Sequence, residues 1–192
     1  TSTVSVNDLN ATDITVQDPA AFDVSFDVDN TTVETGENVT VTATIENTGD
    51  VSADETVNFQ ADGTEFATET VTVDGGNSTT VSEPTSFDTA GTSTVSVNDL
   101  NATDITVQDP AAFDVSFDVD NTTVETGENV TVTATIENTG DVSADETVNF
   151  QADGTEFATE TVTVDGGNST TVSEPTSFDT AGTSTVSVND LN

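Results

Sequence analysis

The residues of this chain that could undergo chemistry are asparagines in Asn-x-Thr or Asn-x-Ser sequences. That pattern is the acceptor for N-linked glycans in exported proteins, where it lies on the surface. The chain is so rich in threonine that some matches arise by chance, so the pattern alone makes these asparagines candidate sites. They are Asn10, Asn30, Asn38 and Asn77, which recur as Asn101, Asn121, Asn129 and Asn168.

Carboxylates are the second group of side chains that could bind ions or take part in a reaction. The chain has 37 Asp and Glu and no Lys, Arg or His, for a formal charge of −37. Two groups could offer several oxygens to calcium: Asp23, Asp27 and Asp29, and Asp50, Asp54 and Glu55. The sequence has neither an EF-hand loop nor a Gly-Asp nonapeptide repeat. A hydrated acidic face is therefore the favoured interpretation, and we predict no metal site and no cofactor.

The unbalanced charge restricts the partners. No carboxylate can pair with a cationic side chain, so dissolved Na⁺ and K⁺, with weak Ca²⁺ or Mg²⁺ binding, must screen the repulsion. The Debye length is about 30 Å at 0.01 M salt and about 3 Å at 1 M. We therefore expect an extremely halophilic source. Nucleic acid is excluded as a partner, and so is an anionic membrane surface, because both require basic residues.

Catalysis has almost no residues available to it. Without His, Cys, Lys, Arg or Tyr there is no Ser–His pair, thiolate, Schiff base or cationic oxyanion clamp. A carboxylate pair of the glycosidase type remains, but the only aromatic residues are Phe at predicted core positions. We predict that the protein is not an enzyme.

All of these residues belong to one sequence repeat that occurs more than twice in the chain. Residues 1–91 recur unchanged as 92–182, and residues 183–192 begin a third copy. A fixed long period is typical of modular arrays. The predicted division is into residues 1–17, the last two strands of a preceding module; residues 20–108, a complete module; and residues 111–192, a second module without its final strand. Any export signal and anchor are expected outside this window.

Within each unit, apolar residues alternate with polar ones. Residues 21–29 and 38–47 place Val, Ile, Ala and Phe on one face and Asp, Ser, Thr or Glu on the other, as half-buried strands do. Further strands are predicted at 55–61, 64–73, 79–82, 92–97 and 102–107. Asp62-Gly63 predicts a type I′ hairpin turn, a phase change after Phe66 predicts a bulge, and Pro84 is expected to end its strand.

Seven short strands without any helical period predict an all-β fold, a tandem array of seven-stranded Ig-like β-sandwich modules. Five Phe per unit are assigned to the space between the sheets: Phe22, Phe26, Phe59, Phe66 and Phe87. There is no Cys and no apolar run of membrane-spanning length, so neither disulfides nor membrane insertion is expected. The short proline-containing linkers, residues 17–20 and 108–111, predict stiffly coupled modules.

Three local sequences resemble those of a known family. They are ETGENVTVTATIENTGD in residues 34–50, VDGGNSTTVS in residues 73–82 and AGTSTVSVNDL in residues 90–100. Together they resemble CARDB-like (cell-adhesion-related) Ig-like domains of archaeal surface proteins, over essentially all of each repeat. The resemblance implies an extracellular sandwich used for spacing, adhesion or assembly, without a catalytic site. The Lys-free, acidic form is similar to haloarchaeal members, while Glu83-Pro84 departs from the apolar strand expected there.

Three functions follow from these observations. The first is a structural module of an extracellular filament, stalk or surface fibre, built by end-to-end coupling of sandwiches or by strand complementation, whose partners are copies of itself or neighbouring modules. The second is an adhesin or carbohydrate-binding module, although the chain has no Trp or Tyr for sugar stacking. The third is a passive spacer for a domain elsewhere in the parent protein.

Overall fold

The computed structural model describes residues 2–4 and 12–189, which form strands and turns without any helix. The chain divides into two compact units, Thr1–Val107 and Gln108–Asn192. The strands are β1 (Ser2–Val4), β2 (Thr12–Ile14), β3 (Phe22–Val28), β4 (Thr32–Glu34), β5 (Asn38–Asn47), β6 (Ala53–Ala61), β7 (Thr64–Val73), β8 (Ser78–Ser86), β9 (Gly91–Val97), β10 (Thr103–Gln108), β11 (Phe113–Val119), β12 (Asn129–Asn138), β13 (Ala144–Ala152), β14 (Thr155–Val164), β15 (Ser169–Ser177) and β16 (Val186–Val188).

In the first unit, two sheets enclose the core. One has the strand order β3-β5-β8 and the other β4-β10-β9-β6-β7. The alternation in β5 is nearly complete: Val39, Val41, Ala43 and Ile45 have no solvent exposure, while the residues between them are polar. A sheet with one apolar face must cover it with a second sheet. The predicted all-β class with tandem sandwich modules is thus confirmed.

The hairpin between β6 and β7 has the predicted turn and bulge. Asp62 and Gly63 both have positive φ, 48° and 74°, as a type I′ turn requires. Phe59 pairs with Ala67, whereas the next residue, Gln60, pairs with Glu65. Phe66 is therefore the extra residue of a β-bulge, and its ring lies 6.1 Å from that of Phe59.

The prediction that Pro84 ends its strand is wrong. β8 runs from Ser78 to Ser86, and Pro84 pairs with Thr40 of β5. Because β8 is the outer strand of its sheet, the missing N–H of proline can lie on the side that has no neighbouring strand. Glu83 and Pro84 both pair within the strand, opposite Val41 and Thr40.

The first unit also has a strand beyond the seven predicted. β4 is three residues long and lies beside β10, where the Thr106 N–H donates to the Thr31 carbonyl. Its sequence is too short to show a period of two. It forms because it can pair with the free edge of β10, a contact between segments that are far apart in the sequence.

The second unit repeats this arrangement in part. Its sheets have the orders β11-β12-β15 and β14-β13-β16. The counterpart of β10 is not among these 192 residues, since Asn192 corresponds to Asn101. The strand that corresponds to β9 is reduced from Gly91–Val97 to Val186–Val188, and residues 123–125, which correspond to β4, are not a strand.

Residues near the start of the chain form a two-stranded sheet. β1 and β2 pair in antiparallel fashion with Ser2 opposite Ile14, which is the register of Ser93 opposite Ile105 in β9 and β10. Val4, Ile14 and Val16 are 57 %, 46 % and 71 % exposed. The assignment of residues 1–17 to a preceding module, like the other two predicted boundaries, stays a prediction.

The five phenylalanines of the first unit all contact the core. Phe59 and Phe87 are buried, while Phe22, Phe26 and Phe66 are partly buried against the same cluster. In the part of the chain that the structure describes, no helix has the length and apolar character needed to cross a membrane.

Candidate functional site

The candidate glycan acceptors are exposed wherever the structure describes them. Seven have exposed side chains: Asn30, Asn38, Asn77, Asn101, Asn121, Asn129 and Asn168. Asn10 lies outside the described residues. Exposure is a requirement for modification, and glycosylation of these residues stays a prediction.

The acceptor asparagines do not form one cluster. Asn38 begins β5, whereas the carbonyl of Asn77 accepts from the Asn47 N–H at the other end of that strand. Asn30 follows β3 in a tight turn, where its Oδ1 accepts from the Thr32 N–H at 3.0 Å. Asn121 makes the same bond to Thr123. In both turns the oxygen is engaged, so the Nδ2 atom, to which a glycan attaches, is not needed to hold the turn.

The acidic side chains line the outer faces of the sheets. Asp23 of β3 lies directly opposite Glu46 of β5, and both are exposed. Like charges in directly opposed positions repel each other, and no cationic side chain exists to separate them. Asp114 and Glu137 are paired in the same way in the second unit.

The two carboxylate groups that were considered as calcium ligands are not assembled into a metal-binding cluster in the described residues. Within residues 2–4 and 12–189, no three acidic side chains converge closely enough to hold a metal ion. Several carboxylates are instead used in local hydrogen bonds. Asp54 accepts from the Thr72 hydroxyl at 2.6 Å, and Asp29 accepts from the Thr40 N–H at 2.8 Å. The Thr40 hydrogen bond lowers the pKa of Asp29 below its ordinary value.

A buried asparagine at the end of β5 joins four segments of the first unit. Asn47 is 0 % exposed. Its Nδ2 donates to the carbonyls of Val51 and Val73 at 2.8 and 2.9 Å, and its Oδ1 accepts from the N–H groups of Ala21 and Gly49 at 3.3 and 3.1 Å. All hydrogen-bonding positions of the amide are therefore used. The sequence Asn-Thr-Gly-Asp at the end of an apolar strand was the available signal.

Each linker is fixed to the module that follows it. The Asp109 N–H donates to the Asp141 carboxylate at 2.9 Å, and the Asp141 N–H donates back to the Asp109 carbonyl at 2.9 Å. Asp18 and Asp50 make the same reciprocal pair in the first unit. A side chain at Gly140 would overlap the Pro110 carbonyl, so glycine is what permits this close contact.

A groove in the second unit marks the place of the strand that is absent from it. The groove has a volume of about 710 Å³. Its lining includes Val119, Val124, Val130, Phe178 and Val186. In the first unit, β10 covers the corresponding residues. The first unit has no such groove at the residues of matching sequence, because β10 lies there.

Comparison with known proteins places these features in a family. The family model described as CARDB matches residues 11–103 and again residues 102–190. No curated protein matches the chain. Among solved structures, a transglutaminase from red sea bream aligns at 12 % identity with a TM-score of 0.33, over 88 % of this chain and 29 % of that one. A similarity this low carries no argument about function.

Proposed function

The chain belongs to the CARDB family, whose Ig-like modules are of extracellular type, and from this premise we propose that it is a structural module of an extracellular filament, stalk or surface fibre in a halophilic organism. Its mechanism is mechanical. Sandwiches are coupled end to end and held apart by their acidic surfaces, and the partners are neighbouring modules or copies of the same chain. The module has no catalytic role.

The observation that carries this proposal is the anchoring of the linker. β10 ends at Gln108, and the next residue, Asp109, is already held by Asp141 of the following module. One peptide bond therefore joins the last residue of β10 to the first residue that is hydrogen-bonded within the following module. Such a connection favours a stiff array over beads on a flexible string.

The charge distribution supports a halophilic environment. The repulsion between Asp23 and Glu46, and between the other outward carboxylates, is reduced only by dissolved cations. A concentrated salt solution therefore stabilises the sandwich. The same outward charge keeps parallel fibres from collapsing onto each other.

The exposed sequons support an extracellular location and a glycoprotein surface. Asn30 and Asn38 lie at one end of the first unit, and Asn77 lies at the opposite end. Glycans attached to these residues would therefore cover both ends of a module. Mass spectrometry of native material tests this: occupied sites at the exposed asparagines support it, and unmodified asparagine at every one of them contradicts it.

The mechanical role is tested by measuring the stiffness of an array. A chain of six repeats is studied by small-angle scattering and electron microscopy in 3 M NaCl. The matched control carries a Gly-Ser-Gly-Ser insertion between the residues equivalent to Gln108 and Asp109. We expect an end-to-end length close to the fully extended length for the parent and a shorter, coil-like distribution of lengths for the control. Equal flexibility of the two arrays contradicts the proposed function.

A further inference from the structure

The glycines of this chain serve two different purposes. Eight of the 12 have a φ between 68° and 157°, which residues with a side chain rarely adopt. The other four have no such φ, and at each of them a Cβ atom would overlap the backbone of another segment. These four glycines are Gly49, Gly75, Gly140 and Gly166. They permit close contact between backbones, and they belong to one arrangement that occurs once in each unit.

In the second unit this arrangement consists of three backbone segments in contact. They are the linker together with Ala112, the loop that follows β12 and the turn between β14 and β15, in residues 108–112, 138–142 and 165–168. The loop is hydrogen-bonded to both of the other segments, and we call the three together the linker stack. The first unit has the same stack, in residues 17–21, 47–51 and 74–77.

The linker is held against the loop at two points. The Asp141 carboxylate accepts from the Asp109 N–H at 2.9 Å, and the Thr139 N–H donates to the Ala112 carbonyl at 2.7 Å. A Cβ at Gly140 would overlap the linker backbone. The position of the linker therefore depends on where the backbone of the loop lies.

The turn supports the same loop. The Gly167 N–H donates to the carbonyls of Asn138 and Gly140 at 3.0 and 2.9 Å, and the Asn138 N–H donates back to the turn at 2.9 Å. A Cβ at Gly166 would overlap the backbone of Asp141. The turn thus fixes the backbone of the residue that holds the start of the linker.

We propose that the turn at residues 165–168 is a positioning element for the linker, and that Gly166, acting through Asp141, sets how tightly the linker is held. Gly75 has the same place in the first unit and acts through Asp50. This inference rests on the proposed function, because it names the residues on which the stiffness of the array depends.

The turn controls the linker more strongly than it controls the core. Asp141 both donates to and accepts from Asp109, so a shift of its backbone lengthens two linker hydrogen bonds at once. These two residues are exposed, and water can replace the bonds. The core residues Val132, Ala134 and Ile136 have no solvent exposure. A displaced loop therefore frees the linker at a smaller cost than it unfolds the sandwich.

A purely structural role for Gly166 has a different consequence. The turn would then stabilise the second unit as a whole, and a change in it would affect the linker and the core in the same proportion. The two roles are distinguished by measuring the linker and the core separately in one chain.

Gly166→Ala in the 192-residue chain is the first test, followed by amide hydrogen exchange in 3 M NaCl. We expect exchange at Asp109, Thr139 and Asp141 to become at least about tenfold faster, because the new methyl group displaces Asp141. Gly154→Ala is the matched control. Gly154 has a φ of 76° and open space at its Cβ, so this change strains a hairpin turn without touching the linker stack. It should speed exchange in the core without selectively freeing the linker.

A second variant removes the support without adding bulk, so the test does not depend on whether Gly166→Ala folds. One glycine is inserted between Gly166 and Gly167, which lets the turn move away from the loop. β14 and β15 belong to different sheets, so no strand register depends on this turn, and one added loop residue costs little. Exchange at the same three amides should become about fivefold faster or more.

The second measurement is the distribution of distances across the linker. Spin labels are attached to Thr80→Cys and Thr171→Cys, two exposed positions of corresponding sequence in a chain that has no cysteine of its own. The parent and Gly154→Ala should give the same narrow distribution. Gly166→Ala should give one that is at least about twofold wider.

Two results overturn the inference. One is a set of linker amides that respond to Gly166→Ala and to Gly154→Ala by the same factor. The other is a distance distribution that neither Gly166→Ala nor the glycine insertion widens. Neither result changes the stiffness of the parent six-repeat array, whereas equal flexibility of that array and its Gly-Ser control contradicts the proposed function whatever Gly166 does. The two therefore fail separately.

Discussion

Replacing Asn47 should strongly destabilise the first unit while leaving the second intact. Its amide makes four hydrogen bonds, of which those to the Val73 carbonyl and the Gly49 N–H are fully buried. Asn47→Ala removes the amide partner of both groups, and a buried polar group that is left unpaired costs about 1–3 kcal/mol. The two partly buried bonds, to Val51 and Ala21, regain water more easily. We expect a loss of about 4 kcal/mol, against a typical domain stability of about 5–15 kcal/mol.

Calorimetry in 3 M NaCl measures this loss directly. The affected transition should fall by about 15–30 °C, and the transition of the second unit, which keeps Asn138, should not move. Asn38→Ala is the matched control, because Asn38 lies on the same strand and is exposed. If Asn47→Ala shifts the transition no more than this control does, the four hydrogen bonds do not stabilise the unit as argued.

Asn47→Asp adds a dependence on pH that the alanine variant lacks. The introduced carboxylate turns an oxygen toward the carbonyls of Val51 and Val73, and burial raises the pKa of such a group. Its penalty is absent below the ordinary pKa of about 3.9 and grows as the pH rises toward the raised value. Acidification should therefore restore stability to Asn47→Asp relative to Asn47→Ala. A constant difference between the two variants from pH 3 to pH 7 contradicts this explanation.

Three further changes test other contacts. Gly49→Ala places a methyl group against the linker backbone and should cost about 1–3 kcal/mol in urea unfolding. Asp23→Asn with Glu46→Gln removes a like-charge pair, so the NaCl concentration at half-folding should fall; Asp27→Asn, opposite a threonine, is the control and should lower it less. The lowered pKa of Asp29 stabilises the unit above its ordinary value of 3.8, and this contribution disappears as the pH falls through the lower folded value. The stability difference between the parent and Asp29→Asn should therefore shrink below about pH 4; a difference that persists at pH 2 refutes that assignment.

Local pattern was sufficient for the strands whose two faces differ. In β5 every second residue is Val, Ala or Ile, and only one register buries all of them, so its bounds were predicted to the residue. The turn at Asp62-Gly63 was equally local, because few residues other than Asn, Asp and Gly accept positive φ at its first position. The bulge at Phe66 was also predictable, because it breaks the alternation of apolar and polar residues along its strand.

Other features depended on neighbours that the local pattern does not reveal. Pro84 continues β8 because that strand has no partner on its outer side. β4 exists in the first unit and not in the second, although the sequence is the same, because only the first has β10 beside it. The interior role of Asn47 was not predicted, since an asparagine before Thr-Gly-Asp is equally typical of an exposed turn.

The sequence by itself determined the repeat, the all-β class, the acidic outer faces and the need for salt, because these follow from residue type and a period of two. Tertiary structure decided which asparagine is buried, how each linker is held and where a groove opens. These depend on contacts between segments far apart in the chain, and identical sequences gave different results when one strand was absent.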